Sequence, residues 1–513
     1  AQNQPVKGKV LDEKTKEALI GVSVLEAGST SNGTVTDLDG NFSLSVPEGA
    51  TLRISYVGYL VQEIPLNGRK SLEVLLKEDT EMLDEVVIVG YGVQKKATLS
   101  GSVTSIGGEK LANTPVTNVS QGLAGRLPGV VAISNTAEPG YDGATIRIRG
   151  VNTFGKADPL VVVDGVPGRS LERIDPSTIE TMSVMKDASA AIYGAQAANG
   201  VIIITTKRGK KGKPTVNLSY NYGISRPTVI PEMANASEYA TLLNEIDKYA
   251  GNKERYTPED IQKYRDGSDP WSYPNTDWFK ETLKPWSPQT YANATIDGGT
   301  DNMTYFVSVS AKTQDGFYRN SGTKYNQYDL KSNLDLKLNK YINLFMNLTG
   351  RMEDRKYPTR SSENIFRMLM RSKPNMPAYW PNGLPGPDIE FGDNPVVIAT
   401  DATGYERDKR YILNGDFGVN INVPYVEGLT LKATASLDKN FRFRKIWQTP
   451  WTLYSWDGTS MDENNNPLLV EGKKGFSDPR LRESMEDNQN ILLSGIINYN
   501  RTFAENHSVN VLA

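Results

Sequence analysis

Few side chains in this sequence are equipped for covalent or metal chemistry. There is no cysteine, and the one histidine, His507, sits beside the polar pair Glu505-Asn506. That count excludes a cysteine nucleophile, a thiolate metal site, a disulfide framework and a cluster of imidazole ligands. No phosphate-cradling glycine loop, no Gly-x-Ser-x-Gly and no His-Glu-x-x-His is present. Carboxylate pairs stay open, because 60 Asp and Glu offer many and their arrangement in space is not legible. One run imitates a calcium loop, with Asp37, Asp39, Asn41 and Glu48 at its ligand positions. Phe42 stands where that loop requires glycine, and 41–46 alternates as a strand. A hairpin turn through Asp39-Gly40 explains the same residues. The sequence thus predicts no enzyme, no catalytic residue, no metal and no cofactor.

Two other chemistries are better supplied. Trp271, Tyr273, Trp278 and Trp286 gather in one stretch, and Trp380, Trp447, Trp451 and Trp456 lie in or beside later ones. Aromatic faces stack on sugar rings, and they pack loops together as readily. Trp271, Tyr273, Trp278, Trp286, Trp380 and Trp447 are therefore the candidate substrate contacts. The second chemistry belongs to the backbone. Asp84, Glu85, Val86, Val87, Ile88, Val89, Gly90, Tyr91 and Gly92 form a β-branched run between acids and glycines, which favours an extended segment. Such a segment, lying between two differently patterned regions, can add itself as a strand to another protein's sheet edge.

Three textures surround these residues. Residues 1–80 hold short alternating runs (6–10, 21–25, 41–46, 52–57 and 72–76) and predict a small antiparallel β-sandwich. Residues 93–212 read as a small α+β domain, with strands at 144–150, 159–165, 182–185 and 200–207. Helices are expected from Asp175-Pro176 and over 187–194, before a basic linker that starts at Lys207. From 213 to 513 every second residue is apolar in run after run, with about nine strands. In the 330–338 run, Leu334 and Leu336 oppose Asn333, Asp335 and Lys337. The connections run long, short, long, short: 226–288 against Gly298-Gly299-Thr300, and 354–409 against 424–428. That asymmetry belongs to outer-membrane barrels. On this reading Leu334 and Leu336 face lipid while Asn333, Asp335 and Lys337 face the lumen or a plug, and an arginine at Asn333 costs far less than one at Leu334 because the lumen is wet. Tyr291, Tyr325, Tyr328, Tyr341, Tyr411 and Tyr499 are expected in the interfacial girdles. Nine strands leave no room for an enclosed domain, so the chain is expected to be the N-terminal part of a longer one. The start, Ala1-Gln2-Asn3-Gln4-Pro5, reads as a processed mature terminus. A net charge of −3 points to no nucleic acid.

Ordered motifs in the middle region carry a resemblance. Gln121 through Val130, Ile146-Arg147-Ile148-Arg149-Gly150, Val163-Asp164-Gly165, Lys186-Asp187-Ala188, Ala191-Ile192-Tyr193-Gly194 and Asn199-Gly200-Val201 together look like the plug of the SusC/RagA family of TonB-dependent transporters. Residues 81–92 then resemble the TonB box, and 1–80 a carboxypeptidase-regulatory-type domain. The resemblance implies a transmembrane antiparallel β-barrel of 22 strands around an α+β plug, in a bacterial outer membrane. The N-terminal domain, the box and the plug base would face the periplasm. It also implies TonB as the energy-coupling partner, a SusD-like surface lipoprotein as a lid, and an oligosaccharide or peptide as cargo. Arg147 and Arg149, on one strand face, either pair with carboxylates of the barrel wall or stand as solvated charges on an edge. A β-rich surface adhesion protein explains the strands and aromatic loops, but not the ordered plug motifs.

Overall fold

The computed structural model describes residues 3–13, 15–27, 32–47, 49–56, 59–77, 86–89, 92–95, 103–112, 118–134, 136, 138–151, 155–186, 188–503 and 507–513. The chain divides into two compact units, residues 1–103 with 187–193, and residues 104–186 with 194–513.

The first unit contains the expected sandwich. Asn3–Asp12 pairs antiparallel with Asn41–Pro47 and parallel with Ser71–Leu76. The facing sheet runs in the order Gly33–Val35, Ser23–Glu26, Thr51–Ser55, Gln62–Pro65. Alternation does what the pleat requires: Phe42, Leu44 and Val46 turn inward onto Val6, Val10, Val24 and Ile54. Gly33–Val35 and Gln62–Pro65 escaped the sequence reading because each is too short for alternation to register. The imitation calcium loop is a turn. One Asp37 oxygen accepts from the backbone N–H of Asp39 at 3.0 Å and of Asn41 at 2.8 Å, and Gly40 supplies the φ of 76°. Farther on, Val86–Val89 is extended and pairs with Gly92–Lys95 in a two-stranded ribbon that joins no larger sheet. Asp84, Glu85, Gly90 and Tyr91 lie outside the described residues.

In the second unit a five-stranded sheet runs Val103–Gly107, Ile179–Met185, Val201–Thr206, Leu160–Val163, Val166–Pro167. Its apolar face closes over Leu123, Leu127, Met182, Ile202 and Ile204. The helix expected from Asp175-Pro176 is a single 3-10 turn, Pro176–Thr178, that passes directly into strand Ile179–Met185. Asp175 caps the turn as expected, accepting from Ser177 N–H at 2.9 Å. The β-branched Thr178 and Ile179 and the antiparallel ladder to Val201–Thr206 then override helix propagation. The second expected helix is likewise 3-10 in character, Ala188–Ala197, and is interrupted at Gly194 with φ 72°.

Nine antiparallel strands follow in sequence order: Gly212–Ser225, Ser287–Gly299, Met303–Asp315, Lys324–Lys337, Ile342–Tyr357, Gly404–Asn422, Leu429–Gln448, Arg480–Phe503 and His507–Leu512. Several run well past their alternating stretches; in Ile342–Tyr357 the extension buries Arg351, Glu353 and Arg355 on the inner face. The sheet wraps the plug on one face. Its other face presents Tyr328, Leu330, Tyr411, Leu413, Phe417 and Leu437, all well exposed. Tyr291 and Tyr325, expected in the girdles, point inward. The register places Tyr291 beside Lys312 and Tyr325 beside Gln314 and Arg355, all facing the plug. Asn333 faces the plug, as expected of its row, but the site is not wet. It has no exposed surface, and its amide donates to the Thr206 hydroxyl at 3.0 Å and the Lys207 carbonyl at 2.6 Å. Its environment is packed protein, and an arginine there is not cheap. Long connections carry helices Ala236–Tyr249, Pro258–Asp266, Trp278–Thr282 and Ser362–Arg371. Among the described residues no helix is long and apolar enough to cross a membrane.

Candidate functional site

The inner face of the wall and the plug meet through polar side chains, because period-2 alternation turns one polar row inward on every strand. Lys324–Lys337 shows the rule: Gln327, Lys331 and Asn333 are buried inside with Asp329 half-buried among them, while Tyr328 and Leu330 stand outside. The strongest single link comes from the turn after Val166–Pro167. Arg169 reaches Asp416 at 2.5 and 3.1 Å and Asp438 at 2.7 and 3.1 Å, one guanidinium spanning carboxylates on adjacent wall strands. Burial alone would lower Arg169, but the bonds to Asp438 and Asp416 outweigh it and raise the guanidinium above the ordinary arginine value. Asp175, the cap of the plug's 3-10 turn, also accepts from the hydroxyls of Tyr291 at 2.7 Å and of Ser310. One carboxylate therefore serves both the plug's local fold and its seat. Near the linker, Arg208 pairs with Asp335 at 2.6 Å. Gly209 passes so close to the wall that a Cβ would lie 2.2 Å from the backbone N of Tyr305.

Of the two arginines left between the wall and solvent, Arg147 pairs inside the plug with the exposed Asp158 at 2.6 Å. Arg149 adopts φ 55° at the end of its strand. The wall-binding residues Arg169, Asp175 and Arg208 went unread. No periodicity marks a plug residue whose partner lies 247 positions away.

The candidate substrate aromatics separate into groups. Trp278 is buried, its indole N–H donating to the Lys373 carbonyl at 2.8 Å. Trp380 is buried as well and donates to the Tyr454 carbonyl at 2.8 Å. Its ring stacks on Trp271 at 5.5 Å, and Trp456 meets both edge-on. These rings weld three separate connections together. Tyr273 donates to Asp260 at 2.6 Å, a bond that pushes its hydroxyl up to about 12. Trp447 lies in the wall ladder opposite Tyr405 and Leu481. Trp286 differs: it is 47% exposed, with the Arg226 guanidinium over its ring at 5.2 Å. Among the described residues no group of three or more acidic or histidine side chains is placed to hold a metal. The backbone candidate, 84–92, is described only in part, as the ribbon strand Val86–Val89.

Comparison with known proteins agrees with this architecture. Residues 6–88 match the CarboxypepD_reg-like domain and residues 95–201 the TonB-dependent Receptor Plug Domain. TonB-dependent receptor SusC of Bacteroides thetaiotaomicron is 33% identical over 458 residues, covering 83% of this chain and 43% of its own. TonB-dependent receptor P39 of Formosa agariphila is 32% identical over 501 residues, 96% of this chain and 44% of its own. The chain thus spans less than half the length of these relatives. Among solved structures, the RagAB peptide importer in the open-open state superposes with a TM-score of 0.66 at 23% identity, over 83% of this chain and 48% of that one. With a regulatory-like domain, a TonB-dependent receptor plug domain and the first wall strands in that order, this chain is similar to the SusC/RagA type of TonB-dependent receptors.

Proposed function

We propose that the whole protein imports a nutrient oligosaccharide across a bacterial outer membrane, driven by TonB. The observation that carries this reading is the two-faced wall, apolar outside and bonded inside to a plug through ion pairs such as Arg169 with Asp416. A plugged wall does not leak, so passage requires the plug to be moved, and an outer membrane has no nucleotide supply of its own. Force must arrive from a partner. The 84–92 segment is the handle in this reading: its strand Val86–Val89, which among the described residues pairs only with Gly92–Lys95, suits strand addition to TonB. The N-terminal domain, the box and the plug base then face the periplasm, and the long connections face outward beneath a SusD-like lipoprotein lid. Trp286, the most open of the candidate aromatics, offers a sugar ring a face to stack on. An oligopeptide is the second cargo, on the strength of the fold shared with a peptide importer.

Deleting Asp84 to Gly92 from the full-length protein tests the reading. Growth on the cargo as sole carbon source is expected to stop, while barrel assembly, followed by heat-modifiable gel migration, and cargo binding persist. Normal growth of the deletion strain would reduce the segment to a linker. Parallel cultures on oligosaccharide and on peptide decide the cargo.

A further inference from the structure

Toward the long-connection end of the wall, one buried carboxylate serves several donors at once. Asp408 has no exposed surface. It accepts from Arg442 Nε and Nη2, both at 2.9 Å, from Arg410 Nη2 at 3.2 Å and from the hydroxyl of the plug's Tyr141 at 3.1 Å. Arg355 Nη1 stands 3.9 Å away. Arg355 takes Glu353 at 2.8 Å and Arg442 also reaches Glu486 at 3.1 Å, while among the described residues Arg410 pairs only with Asp408, which it shares with Arg442. Matching the acids in number does not satisfy the forks. Nε and Nη1 of Arg355 and Nε of Arg410 are buried with no acceptor, as is Oε2 of Glu353 with no donor. Buried donors nearly always find a partner, and three orphans on two clustered guanidiniums call for an explanation. Neither side chain is loose. Arg355 lies between the rings of Tyr141 at 4.6 Å and Tyr325 at 5.3 Å. Tyr141, which also stacks on Tyr357 at 5.3 Å, is the more open of the two covering rings, 37% exposed. Close by on the plug, Arg173 is pulled below the ordinary arginine value, by burial first and by its guanidinium neighbours.

We propose that Arg355, Arg410 and Arg442 form a reading site for an oxyanion on the cargo, a carboxylate or a sulfate, with Tyr141 as its cover. Planar guanidinium forks match both groups in two-point hydrogen bonds, and an oxyanion supplies the acceptors that the idle N–H groups lack. Because the Tyr141 ring covers Arg355, the oxyanion gains the idle N–H groups as that ring swings aside and gives up Asp408. Tyr141 belongs to the plug, so reading the charge loosens a plug contact on arrival of cargo. This inference rests on the import reading and narrows its cargo to an acidic one.

The test uses the full-length protein in detergent and three oligosaccharides of equal length: an oligogalacturonate, a sulfated one and a neutral malto-oligosaccharide. Calorimetry is expected to show an acidic probe binding at least tenfold tighter than the neutral one. Arg410→Gln should erase that tenfold preference. Arg410 is chosen because Asp408 retains Arg442, and Arg410→Lys, which keeps charge but not the fork, should recover only part. Preference for the oligogalacturonate alone assigns the site to carboxylates, and preference for the sulfated probe alone assigns it to sulfates. Hydrogen exchange over 138–142 should rise when the acidic probe binds. Acidic and neutral probes of equal affinity, or an Arg410→Gln protein that keeps the preference, overturn the oxyanion site and leave import standing. Absence of all oligosaccharide binding and uptake overturns both.

Discussion

At the scale of single residues, the plug is held by a few side chains that each do two things. Arg169 is one: its guanidinium spans Asp416 and Asp438 with little of any of the three side chains exposed. Removing one member of a buried ion pair costs about 3–5 kcal/mol, because the remaining charge stays desolvated without a partner. Arg169→Gln in the full-length protein is therefore expected to speed hydrogen exchange over residues 160–178 by orders of magnitude. Adding Asp416→Asn and Asp438→Asn should slow it again by removing the stranded charges. Unchanged exchange in the single variant would mean that the plug is seated by its other contacts. Tyr291 and Tyr325 carry the complementary lesson. Their residue type suits a membrane interface, yet register turns both toward the plug, where one bonds Asp175 and the other Gln327.

At the scale of an element, strand Lys324–Lys337 shows how one pleat serves two environments. Leu334 and Leu336 line an apolar groove on the outer face with Leu344, Met346 and Phe417. Asn333, one residue from Leu334, is sealed against Thr206 and Lys207. Leu334→Arg is expected to cost about 2–4 kcal/mol if it lies near the bilayer midplane. Asn333→Arg is also expected to be damaging, for a different reason: it overfills a packed site and leaves the Thr206 hydroxyl and the Lys207 carbonyl without their donor. Stability loss in both variants does not separate lipid from core. A nitroxide at Leu334 is expected to be relaxed by oxygen dissolved in the bilayer and a nitroxide at Asn333 to be shielded. Equal relaxation at the two positions would remove this strand from the membrane.

At the scale of the whole molecule, the connections on the two ends of the wall differ in kind. One end has short turns such as 300–302 and 338–341. The other carries helices and a tryptophan cluster that joins three connections. Ser268, Asn382, Gly458 and Thr300 are all exposed, so solvent access alone does not distinguish them. Cysteines placed singly at these positions meet no native thiol background. An impermeant maleimide on intact cells is expected to label positions 268, 382 and 458 and to spare 300. Labelling confined to 300 would invert the wall and place the plug base outside.

The order of parts, the strand count and the inward and outward rows were legible in the sequence, because each rests on local composition or on a period of two along the chain. The turn through Asp39-Gly40 and the cap at Asp175 were legible for the same reason, since their partners lie within four residues. Contacts between distant residues were not. Arg169 finds Asp416, Tyr141 finds Asp408, and Trp271 finds Trp380 and Trp456 only once nine strands have been set in register. The helix expected after Asp175 became a strand for that reason too: its ladder partner, Val201–Thr206, lies some twenty residues further on. Local energies select the elements. Burial of charge and of ring faces, which exists only after long-range pairing, decides what those elements hold.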